Sequence, residues 1–179
     1  MKQLAAVLAA VCLCGCGAVY VDRPIGERPL AISNPEQWEG TWLHRDGAIV
    51  VKVTDASNGV LSVGWFEKEE GGLKPATGEV FLCEARNWTL ATLKTPDAAT
   101  NRMVWGRISM EDGQAIVWSP DAGRFMELVT NGVLPGTTNG RNVVLGSLAS
   151  NHWSIITEGT NGVLFNWDAP LILRRHSSR

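Results

Sequence analysis

Between Gly40 and Arg174 apolar and polar residues alternate in short runs that are cut by turn dipeptides. Leu61, Val63 and Trp65 are separated by Ser62 and Gly64, the period of two expected of a strand with one buried face. The same style of run precedes and follows this one. Thr41-Trp42-Leu43-His44 leads into Asp46-Gly47, an Ile- and Val-rich stretch covers 48–54, and Ser57-Asn58-Gly59 separates it from the run at 60–67. Asp-Gly and Asn-Gly accept the positive φ angles of tight hairpin turns, so each dipeptide is a turn signal with a mechanism. Further strands are predicted at 79–84, 88–94 and 102–110, and Glu111-Asp112-Gly113 turns the chain into 114–119. Seven strands joined by short turns predict a mainly β fold, an antiparallel meander or up-and-down barrel.

The period changes near Arg124. Phe125, Leu128 and Val129 stand at i, i+3 and i+4, which fits one short helix near 122–131. Asp121 is suited to cap its start, Asn131-Gly132 its end, and Pro135 forbids continuation. The stretch 137–141 reads as a loop. Strands at 153–157 and 163–167, flanking Asn161-Gly162, predict a last hairpin, and 171–174 adds a final strand. Thr-Asn-Gly-Val-Leu occurs at both 130–134 and 160–164, and Asn58-Gly59-Val60-Leu61 shares its core. The spacings are unequal, so the echo is turn chemistry and not a repeat architecture.

The N-terminus has a different character. One charge, Lys2, precedes eleven apolar residues from Leu4 to Cys14, too few for the ~20 that a membrane-crossing helix needs. A short apolar stretch between a basic start and small residues is the signal-peptide pattern. It ends Leu13-Cys14-Gly15-Cys16, which resembles the lipobox of bacterial lipoproteins. Cys12 and Cys14 follow bulky residues, whereas Cys16 follows Gly15. The resemblance therefore implies cleavage before Cys16, a diacylglycerol on its thiol and an acyl chain on its new amine. An ordinary secretory signal without lipid is the other reading of this stretch. Several acyl chains, at ~0.8 kcal/mol per buried methylene, make such anchoring stable. Gly17, where enteric inner-membrane lipoproteins carry Asp, favours the outer membrane. The expected organisation is a signal peptide at 1–15, a lipidated cysteine and extended tether at 16–37 marked by Pro24, Pro29 and Pro35, one β-domain at 38–175, and a tail at 176–179.

Gly40-Thr41-Trp42 at the first strand resembles the Gly-x-Trp signature of lipocalins and related calycin barrels; the Thr-Asp-Tyr signature of that family is absent. The resemblance implies that Trp42 plugs the closed end of a barrel under an Arg from a late strand, here Arg107 or Arg174. Eight tryptophans against one tyrosine suit either a sugar- or lipid-binding surface or core filling. On the first view, Trp42, Trp65, Trp105 and Trp118 are the candidate ligand-binding residues of a barrel mouth.

Composition narrows the function classes. Cleavage removes Lys2 alone among the charged residues, leaving 15 basic against 18 acidic and a net charge of −3. That balance gives no electrostatic case for nucleic acid; only 174–179 is locally basic. With Cys16 lipidated, Cys83 is the sole remaining thiol, so no internal disulfide forms, and its apolar run Val80-Phe81-Leu82-Cys83 marks it as a buried small side chain. No Gly-x-Ser-x-Gly elbow, His-Glu-x-x-His or phosphate-binding glycine loop occurs. His44, His152 and His176 are too dispersed for a local metal site, His44 with Asp46 flanks a turn, and Glu67, Glu69 and Glu70 form an acidic loop. No cofactor, metal or catalytic residue is expected. The expected function is a non-catalytic envelope lipoprotein holding a small apolar or glycan ligand in a barrel. The alternatives are a structural component with a filled barrel that docks another envelope protein, and a hydrolase without a recognisable motif.

Overall fold

A computed structural model describes residues 17–69, 72–95, 101–158 and 163–176. The signal stretch, Cys16, Glu70, the Asn161-Gly162 turn and the end of the basic tail lie outside the described residues.

Eight strands close a barrel. They are β3 (Gly40–His44), β4 (Gly47–Asp55), β5 (Val60–Glu69), β6 (Gly72–Ala85), β7 (Trp88–Lys94), β8 (Met103–Glu111), β9 (Gln114–Trp118) and β12 (Leu171–Arg175). Consecutive strands from β3 to β9 pair antiparallel, and β12 fits between β9 and β3 to shut the ring. The barrel expected from the alternating pattern is therefore the fold. Turn chemistry acts as anticipated at Asp112-Gly113, whose φ values are +47° and +75°, and at Gly59, where φ is +66°. The β4–β5 turn gains a second hold: Asp55 accepts from the Asn58 side chain at 2.7 Å and from its backbone N–H at 3.1 Å. Those bonds lower the Asp55 pKa, the side-chain bond most.

Side-chain alternation divides the barrel wall into two cores. Facing inward are Trp42, Val51, Leu61, Val63, Val80, Leu82, Ala91, Leu93, Ala115, Val117, Leu171 and Leu173. A second core lies outside the wall and contains Ala85, Leu90, Met103 and Trp105 together with residues from both ends of the chain. Strand β7 is consequently buried on both faces from Leu90 to Leu93, like the strands of a sheet covered on two sides.

The cover over this second core corrects the reading of residues 17–37 as a tether. Val19–Val21 forms β1, parallel to β11 (Asn142–Leu145) and antiparallel to β8, and Val19, Val21, Ile25 and Ile32 are buried. Alternating Val19 and Val21 supply a strand that the three prolines had obscured. Pro29 is tolerated because β2 (Arg28–Pro29) is a two-residue edge pairing with β6, where a missing N–H costs no ladder bond. The buried hydroxyl of Thr92 accepts the Ile25 N–H at 3.1 Å, and Leu30 N–H donates to Leu82 O at 2.9 Å. The strap is thus stitched across the barrel wall.

Two further expectations change. The stretch 137–141 is not a loop: β10 (Gly136–Asn139) and β11 form a hairpin turning at Asn139-Gly140, with Gly140 at φ +59°. The same Asn-Gly chemistry was present there. The stretch 153–157 belongs to a helix, α2 (Ser150–Thr157), because Trp153 and Ile156, three residues apart, both face the outer core. With no strand there, the last hairpin does not form. The other helix stands where the pattern placed it: α1 (Ala122–Thr130) begins at Asp121, whose carboxylate accepts from Arg124 N–H at 3.0 Å. It ends at Gly132 with φ +70°, Gly132 and Val133 returning hydrogen bonds to Val129 and Leu128.

Cys83 is buried beneath Gly26, where an added Cβ would lie 2.3 Å from the cysteine Cβ. Burial raises its thiol pKa. An unfolded thiol releases its proton near pH ~8.5, whereas the folded one holds it to higher pH, so this group lowers stability as pH rises above that point. Ellman's reagent at pH 8 should leave Cys83 of the native protein untouched and label it promptly in denaturant. Rapid labelling of the native chain would contradict the burial.

Candidate functional site

Strand β8 forks the sheet. On one edge its first residues, Met103 and Val104, pair with β1, and its later residues, from Arg107 onward, pair with β9. Between them Trp105 and Gly106 have no strand on that edge. The gap opens a cleft of about 420 Å³ lined by Gly17–Val19 on one side and Val117, Ser119 and Pro120 on the other. Val104 and Trp105 form its floor, Asp121 with Ala122, Gly123 and Met126 of α1 one wall, and Arg141, Asn166 and Leu171 complete it.

Most polar groups around this cleft are already engaged with one another. Asn166 Nδ2 donates to Ser119 Oγ at 3.0 Å, Asp121 holds the helix start, and Ala18 N–H donates to Asn142 Oδ1 at 2.9 Å. The larger share of the lining is hydrocarbon, from Val104, Val117, Pro120, Ala122, Met126 and Leu171. The exception is the Trp105 indole N–H, the one buried side-chain polar atom without a hydrogen-bond partner among the described residues. Such orphans are rare and call for an acceptor or an aromatic face.

The barrel interior differs. A void of about 60 Å³ lies there, lined by side chains including Trp38, Trp42, Leu61, Val63, Leu82 and Leu173. Small-molecule sites span about 300–1,000 Å³, so this void among the packed side chains is too small to be one.

The four candidate tryptophans do not converge. Trp42, 2% exposed, and Trp65 belong to the inner core. Trp105 and Trp118 belong to the outer one. Trp42 is not stacked under either arginine suggested by the calycin likeness; its indole N–H donates to Trp38 O at 2.8 Å. Arg107 does meet tryptophan, on the opposite face of the wall. Its guanidinium lies 4.4 Å from the ring centre of Trp88, 5.0 Å from Trp167 and 5.2 Å from Trp118. Burial among these rings lowers its pKa, with Glu111 opposing. A cation–π contact at such a partly exposed site contributes ~0.5–1 kcal/mol, so Arg107 serves as the polar lid of an aromatic cluster.

His44 and His152 hold a turn and a helix start. His44 Nδ1 is 3.6 Å from the Asp46 carboxylate at an exposed hairpin, away from both spaces just described. His152 Nδ1 accepts the Ala149 N–H at 2.9 Å, tying the start of α2. Among the described residues no three His, Cys, Asp or Glu side chains gather as metal ligands. Sequence reasoning missed the cleft itself, because Gly17–Val19, Ser119–Gly123 and Arg141 become neighbours only through the parallel β1–β11 pair. Comparison with known proteins returned no match: no protein family covers any part of the chain, and no curated protein or solved structure is significantly similar to it.

Proposed function

We propose that the chain is a non-catalytic, lipid-anchored protein of the bacterial envelope, held by Cys16, whose barrel is a packed scaffold acting through its outer surface. The observation that carries this reading is the filled interior: a void of about 60 Å³ walled by hydrocarbon has no room for cargo of ordinary size. This favours docking against another envelope protein over storage of an apolar or glycan ligand inside the ring.

One surface suits contact. β4 leaves β5 at Gly64, and β7 reaches β6 only at Glu79. Between those points β5 and β6 continue as a two-stranded ribbon, Trp65–Glu69 against Gly72–Ala76. Phe66 and Leu73 on it are 57% and 71% exposed, apolar side chains at a projecting strand pair of the kind that partners cover.

The anchor has a direct test. Full-length protein purified from membranes is expected to carry a diacylglyceryl and an N-acyl group on Cys16, and Cys16→Ser to run without them and leave the membrane fraction. A wild-type chain cut elsewhere, or Cys16 free of acyl mass, would refute the anchoring.

A further inference from the structure

We propose that the cleft at the fork of β8 seats one acyl chain of the lipid on Cys16, so that the anchor is partly folded into its own protein. The inference rests on the lipidation proposed above and adds a binding site for it.

Position argues first. Gly17, Ala18 and Val19 line the cleft, and Cys16 is the next residue; one residue spans at most ~3.6 Å. A lipid on Cys16 is therefore attached within one residue of the cleft lining. A Cβ on Gly17 would stand only 1.4 Å from Arg141 O, so the bare glycine lies flat on that backbone. Ala18 is held by Asn142 Oδ1 through its N–H and by Val143 N–H, at 2.8 Å, through its carbonyl.

The chemistry of the walls argues second. The cleft, about 420 Å³, lies within the range of sites for small organic ligands. Asp121 and Asn166 each engage a protein partner, and most of the lining is apolar, supplied by Val104, Val117, Pro120, Ala122, Met126 and Leu171. A glycan needs free donors and acceptors; a hydrocarbon chain needs their absence. The remaining acyl chains are left for the bilayer, and two suffice for stable attachment.

The test uses the full chain in growing bacteria supplied with a diazirine-bearing fatty acid. After purification and irradiation, cross-linked peptides are mapped by mass spectrometry. Intramolecular cross-links from the Cys16 lipid to Ala122, Met126 or Leu171 are expected. Met126→Trp, which fills the cleft, is expected to lose them while keeping the label on Cys16; near-UV circular dichroism checks that it remains folded. Labelled Cys16 with cross-links only to phospholipid would overturn the proposal and leave the anchor standing. No label on Cys16 would instead overturn the lipidation, and the seating with it.

Discussion

Replacing Phe165 by alanine is expected to cost about 3–5 kcal/mol, the range for deleting a fully buried aromatic ring. Phe165 is 1% exposed, and its ring is the hub of the outer core. Ring centres of Trp88, Trp105, Trp167 and Phe125 lie at 5.4, 5.7, 5.7 and 6.2 Å, mostly edge to face. Each such pair adds ~0.5–1.5 kcal/mol beyond burial, and the surrounding strands cannot collapse into the space. Phe165 also fastens an irregular segment that it bridges to Pro120. Since a domain is stable by ~5–15 kcal/mol, the variant should unfold at a markedly lower urea concentration, and Phe165→Leu should fall between it and the wild type. A change below ~1 kcal/mol would mean that the aromatic cluster is not packed as described.

Gly59→Val should be nearly as severe, for a reason of backbone and not of burial. At φ +66° a side chain costs ~1–2 kcal/mol in the left-handed region. Here there is also no space: the new Cβ would lie 2.5 Å from Leu30 O and 2.6 Å from Leu82 O. Both are backbone atoms, so relief requires lifting the strap from the barrel and breaking Leu30 N–H to Leu82 O. Gly113 supplies the control. Its φ is +75°, yet nothing lies within 4 Å of an added Cβ, so Gly113→Ala carries the conformational cost alone, ~1–2 kcal/mol. Urea melts of both variants isolate the clash by difference. Limited proteolysis should cut the strap at 27–32 only in Gly59→Val. Equal destabilisation of the two would show that the strap does not press on Gly59.

These two positions also mark what the sequence could and could not convey. Gly59 sits in a dipeptide whose turn chemistry is local, and so the eight barrel strands were legible from alternation and Asn-Gly or Asp-Gly signals, within a residue or two at most ends. Phe165 sits where the pattern suggested a strand, and its role depends on Val19, Leu90, Val143 and Trp153 arriving from distant parts of the chain. In β8 the consecutive Met103, Val104 and Trp105 are apolar on both faces, so alternation could not say which tryptophans look inward. The strand expected at Trp153–Thr157 rested on the neighbouring Asn161-Gly162 turn signal, whereas the three-residue spacing of Trp153 and Ile156 is that of a helix face. The cleft had no local signal at all, being the space between two strands that meet only in three dimensions.

The ring shuts by joining Leu43 to Arg174, and the cover closes by joining Val19 to Val143. Each brings together parts of the chain more than a hundred positions apart, and contacts of that kind make assembly slow, on the millisecond-to-second scale of all-β domains. A chain threaded into a compartment from its N-terminal end would therefore hold β3 and β9 with open edges until residues 171–175 emerged. The maturation proposed for Cys16, the residue just before the segment that packs on Arg141, would have its opportunity in that interval, before residues 171–175 arrive to close the ring.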